Sequence, residues 1–193
     1  VIPEGFTLHN YVDLFTDSNF LASVGRSIAM SIIPIIVTIV IVLLALFVTA
    51  IYFPKLEKYV QIICMIPYTI QGVILSVSIL SLYVGSSSIL SNRLVMLMGA
   101  YCIVILPYIY QGIRNGMRAV NMPTLIEAAE MLGASKIYAF FRVVVPNILS
   151  AIIVSSLLAV GIIFGDYVLI RNLAGTSAPN MQIFLYQTMK SDS

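Results

Sequence analysis

Charge is what this sequence lacks. Of its 193 residues only 9% are charged and 60% are hydrophobic, against about 25% charged in ordinary soluble domains. A surface this poor in charge excludes a soluble enzyme, a nucleic-acid-binding domain and a disordered tail. The formal net charge of +2 is too small to point to a polyanionic partner. Histidine is nearly absent: His9 stands alone, which removes any histidine-based metal site or acid–base pair. Cys64 and Cys102 each sit alone in an apolar run with no second cysteine nearby, and read as small buried hydrophobes rather than redox or metal ligands. Paired carboxylates or a Ser/Lys dyad in an apolar run would suggest a membrane enzyme, and neither is present.

The missing charges also divide the chain. No Asp, Glu, Lys or Arg occurs from Ser27 to Pro54, from Tyr59 to Asn92, from Leu94 to Ile113, or from Val143 to Gly165. Each run holds at least the ~20 residues a helix needs to cross ~30 Å of hydrocarbon. The expected fold is all-α and membrane-integral, with transmembrane helices at 27–53, 59–83, 94–113 and 146–167. Prolines 34, 67, 107 and 146 fall one per segment, so a kinked bundle is expected; proline is also simply commoner in membrane helices. Gly161 with Gly165, and Gly72 with Ser76, are small residues four apart that would allow close packing.

Basic residues set the orientation. Lys55 and Lys58 lie in the link 54–58, and Arg114, Arg118, Lys136 and Arg142 in the link 114–142; these are six of the ten. Arg26, Arg93, Arg171 and Lys190 are spread over longer opposite stretches. The links 54–58 and 114–142 are therefore expected in the cytoplasm, and both ends outside. An outer N-terminus that carries no signal peptide implies a membrane helix before Val1. Segment 1–26 reads as an outer amphipathic segment, with Thr7 as N-cap, Phe6 and Tyr11 as a hydrophobic staple and Leu14 and Phe15 extending the stripe. Segment 168–193 reads as an outer stretch leading to a further helix.

Link 114–142 is long and patterned. Pro123, then Thr124 with Glu127 three residues on, has the form of a capping box. Gly133 supplies a left-handed stop, and Ser135 can cap a second short helix reaching Phe141, with Pro146 opening the next span. The hairpin is apolar through Leu125, Ile126, Ala128, Ala129, Met131 and Leu132, with Glu127 and Glu130 as its polar contacts. Such an elbow either packs under its own bundle or docks in a groove of another protein.

The run Glu127-Ala128-Ala129-Glu130-Met131-Leu132-Gly133, followed by Val143, Val145 and Pro146, resembles the EAA loop of ABC importer permeases of the MetI-like fold. Valine stands at both aliphatic positions, where the family often has isoleucine and leucine. The resemblance implies that 114–142 is a coupling hairpin seated in a cleft of a cytoplasmic ATPase. Glu127, with Glu130, would then make polar contacts, Ala128 and Ala129 would permit close docking, and Gly133 would turn the hairpin. It implies four helices present of six, an ATP-binding cassette ATPase dimer as partner, a second permease subunit (commonly a different chain) and an external substrate-binding protein. This chain has no G-x-x-x-x-G-K-[ST] phosphate loop, so ATP and Mg²⁺ would be bound by the ATPase, with no cofactor here.

For the pathway, Gln71 lies mid-span near Tyr68, either as interhelical glue or on a water-filled path. Asp166 and Tyr167 close the last span, either meeting a cation in transit or simply facing solvent. Short similarities at Phe6–Tyr11 and Phe164–Tyr167 lie nearest to polyamine, ferric-iron and phosphonate importers, polyamine first. The competing class is an ATP-independent channel or secondary transporter, which would leave the hairpin unexplained.

Overall fold

The longest apolar run forms the longest helix. The computed structural model describes residues 16, 18–70, 72–83, 92–174, 183 and 186, and among them every regular element is helical. Helix α1 covers Ser18–Ile51, 34 residues, or about 51 Å at ~1.5 Å per residue. It starts well before residue 27, so part of the expected outer segment is helix continuous with the first span. Three of its serines are satisfied within the helix: Ser23, Ser27 and Ser31 each donate to a carbonyl one turn back, at 2.7–2.9 Å. The amphipathic segment around Phe6, Thr7 and Tyr11 lies outside the described residues.

The burial pattern of α1 inverts that of a soluble helix. Ser23, Ser27, Ser31 and Thr38 are buried, while Ile28, Ile32, Ile36, Val40 and Leu44 are exposed. An exposed aliphatic face of this length calls for an apolar surrounding, hydrocarbon or another apolar helix.

The second expected span, 59–83, is not one helix. A 3-10 turn at Pro54–Leu56 leads into α2 (Glu57–Met65), then a second 3-10 turn at Ile66–Thr69, then α3 (Gly72–Tyr83). The units Pro54–Thr69 and Gly72–Tyr83 meet at 98°. Pro67 can donate no backbone bond, and Ile70 has left helical geometry at φ −94°, ψ 114°, so the helical ladder ends there.

Helix α4 (Arg93–Ala119) starts on an Asn92 cap, whose side chain accepts from Leu94 N at 3.0 Å. It runs past residue 113, so Arg114 and Arg118 stand on the helix rather than in a loop. A short helix α5 (Met122–Met131) follows. Then comes α6 (Lys136–Asn147), which widens into a π-helical turn at Phe140–Val144, and α7 (Leu149–Gly165). The last two meet at 64°. Pro146 therefore does not open the fourth span; it sits in the last turn of α6, and the break falls at Ile148 (φ −100°, ψ 9°). Pro34 and Pro107, in contrast, lie inside unbroken helices. Helices α1 and α4 are each long and apolar enough to cross a membrane, and the two bent pairs raise the number among the described residues to four.

Helix α4 is the spine, packed between α1 and α7. Leu97, Tyr101, Ile105, Ile109 and Ile113 are all buried. A stripe with steps of four advances about 40° around the helix per step, so α4 meets different neighbours at different heights. Its closest approach is to α7. A Cβ on Gly112 would lie 2.5 Å from Ser155 Cβ, and one on Gly116 would lie 2.6 Å from Ala151 Cβ. This small-residue seam is not where the sequence placed it: a Cβ on Gly161 or Gly165 would meet nothing within 4 Å. Gly72 has only an ordinary 3.7 Å neighbour in Leu169, and Ser76 serves as acceptor for Asn172 Nδ2 at 2.8 Å.

Candidate functional site

The hairpin of α5 and α6 is built around two turns. Asn121 takes a left-handed conformation (φ 49°, ψ 61°) and Pro123 occupies the first turn of α5, where a missing N–H costs nothing. The helix thus begins three residues earlier than a Thr124 cap requires. Thr124 falls inside the first turn and the expected capping box with Glu127 does not form. The far end matches the sequence reading. Gly133 has φ +84°, Gly133 N donates to Glu130 O at 2.9 Å and Ala134 N to Ala129 O at 3.0 Å. That pair of bonds is a Schellman stop. Ser135 Oγ then accepts from Tyr138 N at 3.3 Å and caps α6.

What the hairpin presents is apolar. Met131 and Leu132 are each 90% exposed, among the most exposed large hydrophobics in the molecule. Ala128 faces outward, whereas Ala129 is buried inside the hairpin, so the two alanines have different surroundings. Glu127 and Glu130 are both exposed and border a 160 Å³ recess shared with Met122, Ile126 and Lys136. Glu130 stands 3.8 Å from Lys136 Nζ across the turn, an exposed pair worth about 0–1 kcal/mol.

The base of the hairpin is tied down twice. Phe140, fully buried in the π-helical turn, stacks on Phe47 of α1 with centroids 4.9 Å apart, and Phe141 lies 6.0 Å from the same ring. Nearby, Arg114 donates to Glu57 Oε1 through Nε (2.9 Å) and Nη2 (2.6 Å), with Arg118 at 3.8 Å. The links 54–58 and 114–142 are therefore at one end of the bundle. The sequence reading put them on one side from charge alone and missed both anchors.

A cleft of 750 Å³ runs between the end of the Pro54–Thr69 unit, α4 and the α6–α7 corner. Tyr68 lies on it, paired with Tyr108 (centroids 5.7 Å, 55°). Gln111, Asn115, Asn147 and Ser150 supply amides and a hydroxyl, and Gln111 Nε2 makes a 3.5 Å contact to Met65 Sδ. Among the described residues that line it there is no Lys, Arg, Asp, Glu or His. Tyr108, Gln111 and Asn115 were not singled out from sequence, although steps of three and four in a charge-free run put them on one helix face. Gln71 lies outside the described residues.

Asp166 and Tyr167 do not line this cleft. The Asp166 carboxylate accepts from Leu169 N at 3.2 and 3.4 Å and interacts with the buried Tyr101 hydroxyl. Tyr167 and Tyr186 hold the Arg171 guanidinium at 5.4 and 5.2 Å from their ring centres. Both predicted residues thus have structural partners at the end of α7.

An apolar exterior, bent helix pairs beside a largely apolar cleft that carries a few neutral polar groups, and an apolar hairpin at one end define an integral membrane helical bundle. The chain belongs to the family of binding-protein-dependent transport system inner membrane components, whose profile matches residues 56–190. It is 25% identical over 180 residues to a probable ABC transporter permease of Mycoplasma genitalium, covering 82% of this chain and 54% of that protein. A homologous permease of Mycoplasma pneumoniae is 25% identical over 169 residues, covering 77% and 50%. The chain spans about half the length of these relatives.

Proposed function

We propose that this chain is the permease subunit of an ATP-driven importer in the cell membrane, with links 54–58 and 114–142 in the cytoplasm. The observation that carries it is the hairpin tip. Met131 and Leu132 stand 90% exposed beside the Gly133 turn, while the hairpin base is anchored to α1 and α4. Two exposed large hydrophobics on a rigid elbow favour docking on another protein, and the resemblance of 127–133 to the EAA loop supports an ATPase dimer as that protein. A channel or secondary transporter gives this elbow no role. The ATPase would bind ATP and Mg²⁺, and this chain would line the path alongside a second permease subunit, receiving cargo from an external binding protein. Glu127, Glu130 and Ala128 would face the ATPase; Ala129 and Gly133 would hold the hairpin's shape.

Among the three cargo classes, a polyamine fits the cleft best. Two tyrosine faces and amide carbonyls can hold an ammonium group by cation–π contact and hydrogen bonding. A phosphonate would call for a cationic side chain and ferric iron for anionic or imidazole ligands, and the described lining residues include neither. The test is Gly133→Val in the reconstituted transporter with its binding protein and labelled spermidine. Left-handed backbone costs an L-residue about 1–2 kcal/mol, and a β-branched one more. ATP hydrolysis should persist while ATP-driven uptake falls at least tenfold, and Gly133→Asn should keep most uptake. Wild-type uptake by Gly133→Val overturns the coupling role; uptake of phosphonate or ferric iron instead of spermidine overturns the cargo alone.

A further inference from the structure

A second cavity, 520 Å³, lies at the hairpin end of the bundle, between the end of α1, the 54–58 link and the junction of α4 with α5. Its volume is within the usual range for a bound small molecule, about 300–1,000 Å³. The cavity is two-sided. Leu46, Ala50, Met117 and Met122 give an apolar wall, and Arg114 and Arg118 a cationic one.

The charge there is unbalanced. Among the described residues that line the cavity, Arg114 and Arg118 stand against Glu57, so two cations and one carboxylate leave one net positive charge, with Lys55 and Lys58 in the adjoining link outside the lining. The two arginines are not equivalent. Arg114 is 12% exposed and commits two donors to Glu57. Arg118 is 63% exposed, and its one ion-pair contact among the described residues is the 3.8 Å approach to Glu57. A planar guanidinium with most of its donors unused suits an oxyanion. The acidic pair Glu127 and Glu130 borders the adjoining recess and does not line this cavity.

We propose that this cavity is a binding site for the phosphate of an anionic phospholipid, with Arg118 as the principal ligand and the apolar wall receiving the root of the acyl chains. Position argues for a lipid over a soluble phosphate. The cavity opens where the apolar helices give way to the charged links, which is headgroup depth in a bilayer, and a basic recess between spans there matches an anionic headgroup. The site would also place a lipid against Met122 and Pro123, at the base of the hairpin.

The test is native mass spectrometry of the full-length permease, purified in neutral detergent, stripped of lipid and then titrated separately with phosphatidylglycerol, phosphatidylcholine and inorganic phosphate. Phosphatidylglycerol should be retained and phosphatidylcholine lost. Arg118→Gln should weaken phosphatidylglycerol binding about fivefold, the worth of one cation beside an anionic surface. Arg118→Lys should retain most of it, and Arg171→Gln, outside the cavity, should leave it unchanged. Equal retention of phosphatidylcholine, or wild-type binding by Arg118→Gln, overturns the site. If inorganic phosphate at millimolar concentration displaces the phosphatidylglycerol, the source is free phosphate and the lipid assignment fails. Arg118 is mostly exposed, so the variant should fold, and an unchanged melting temperature checks this.

Discussion

Substitution of Gly112 by alanine is the most direct probe of how this bundle is held together. The added methyl would stand 2.5 Å from Ser155 Cβ and 3.0 Å from its Oγ, where carbon atoms normally rest about 3.5–4.0 Å apart. Relief requires α4 and α7 to part by roughly 1 Å along a seam that also includes Gly116 and Ala151, or Ser155 to give up its bonds to Ala151 O and Ile152 O, at 2.9 and 3.0 Å. Overpacking of this kind costs about 1–3 kcal/mol. A 2.5 Å approach to a Cβ belongs in the upper half of that range, about 2–3 kcal/mol; alanine recovers about 1 kcal/mol through helix propensity, which leaves a net loss of about 1–2 kcal/mol. At about 2–4 °C per kcal/mol for a chain of this size, the melting temperature of the purified permease should fall by roughly 2–8 °C. Ser155→Gly removes the obstructing atoms and should restore most of the loss in the double variant. Gly161→Ala is the control, because its Cβ meets nothing within 4 Å. An unchanged melting temperature for Gly112→Ala, or an equal fall for Gly161→Ala, would refute the α4–α7 seam.

Two further outcomes follow from the anchors. Replacing Arg114 by methionine leaves Glu57 with the 3.8 Å approach of Arg118 in place of its two hydrogen bonds, whereas replacing both, Arg114→Met with Glu57→Gln, removes the mismatch. A double-mutant thermal cycle should show a positive coupling of about 1 kcal/mol, discounted because Glu57 is 36% exposed; zero coupling would mean that the contact carries no stability. At the end of α7, Asp166→Ala should lower stability by about 1 kcal/mol through loss of the bond to Leu169 N, and Asp166→Asn should keep most of it. Spermidine uptake by folded Asp166→Asn should stay near wild type, and a tenfold loss would return Asp166 to the pathway.

The charge-free runs disclosed the spans because lipid imposes its rule on every residue of the run. Gly133 and Ser135 disclosed the hairpin's far end because both act on local backbone. The rest depended on partners. Gly112 and Gly116 form a close seam only because Ala151 and Ser155 present small atoms opposite them, and the equally spaced Gly161 and Gly165 have nothing opposite. The breaks at Ile70 and Ile148 follow prolines, yet Pro34 and Pro107 interrupt nothing, so proline alone does not locate a break. Thr124 and Glu127 have capping-box spacing, but Asn121 and Pro123 start the helix sooner. In the cleft, Tyr108, Gln111 and Asn115 were legible as a polar stripe, whereas Tyr68 joins them only through the bend after Pro67.

The two anchors at the hairpin base differ in chemistry, and the difference matters for what the hairpin can transmit. The tilted contacts of Phe140 and Phe141 with Phe47 are apolar, and that of the fully buried Phe140 keeps its strength in the dry interior of the bundle. The Arg114–Glu57 pair is partly wet, so its strength depends on geometry and ionic surroundings. The first joins the hairpin to α1, and the second joins the end of α4 to the 54–58 link. With α6 separated from α7 by the break at Ile148, the hairpin base is fastened more firmly to α1 and α4 than to the helix that follows it in the chain. A load on Met131 and Leu132 would therefore reach α1 through the aromatic contact, and α7 through its packing on α1, the Gly112–Ser155 seam on α4 and the chain itself at Ile148.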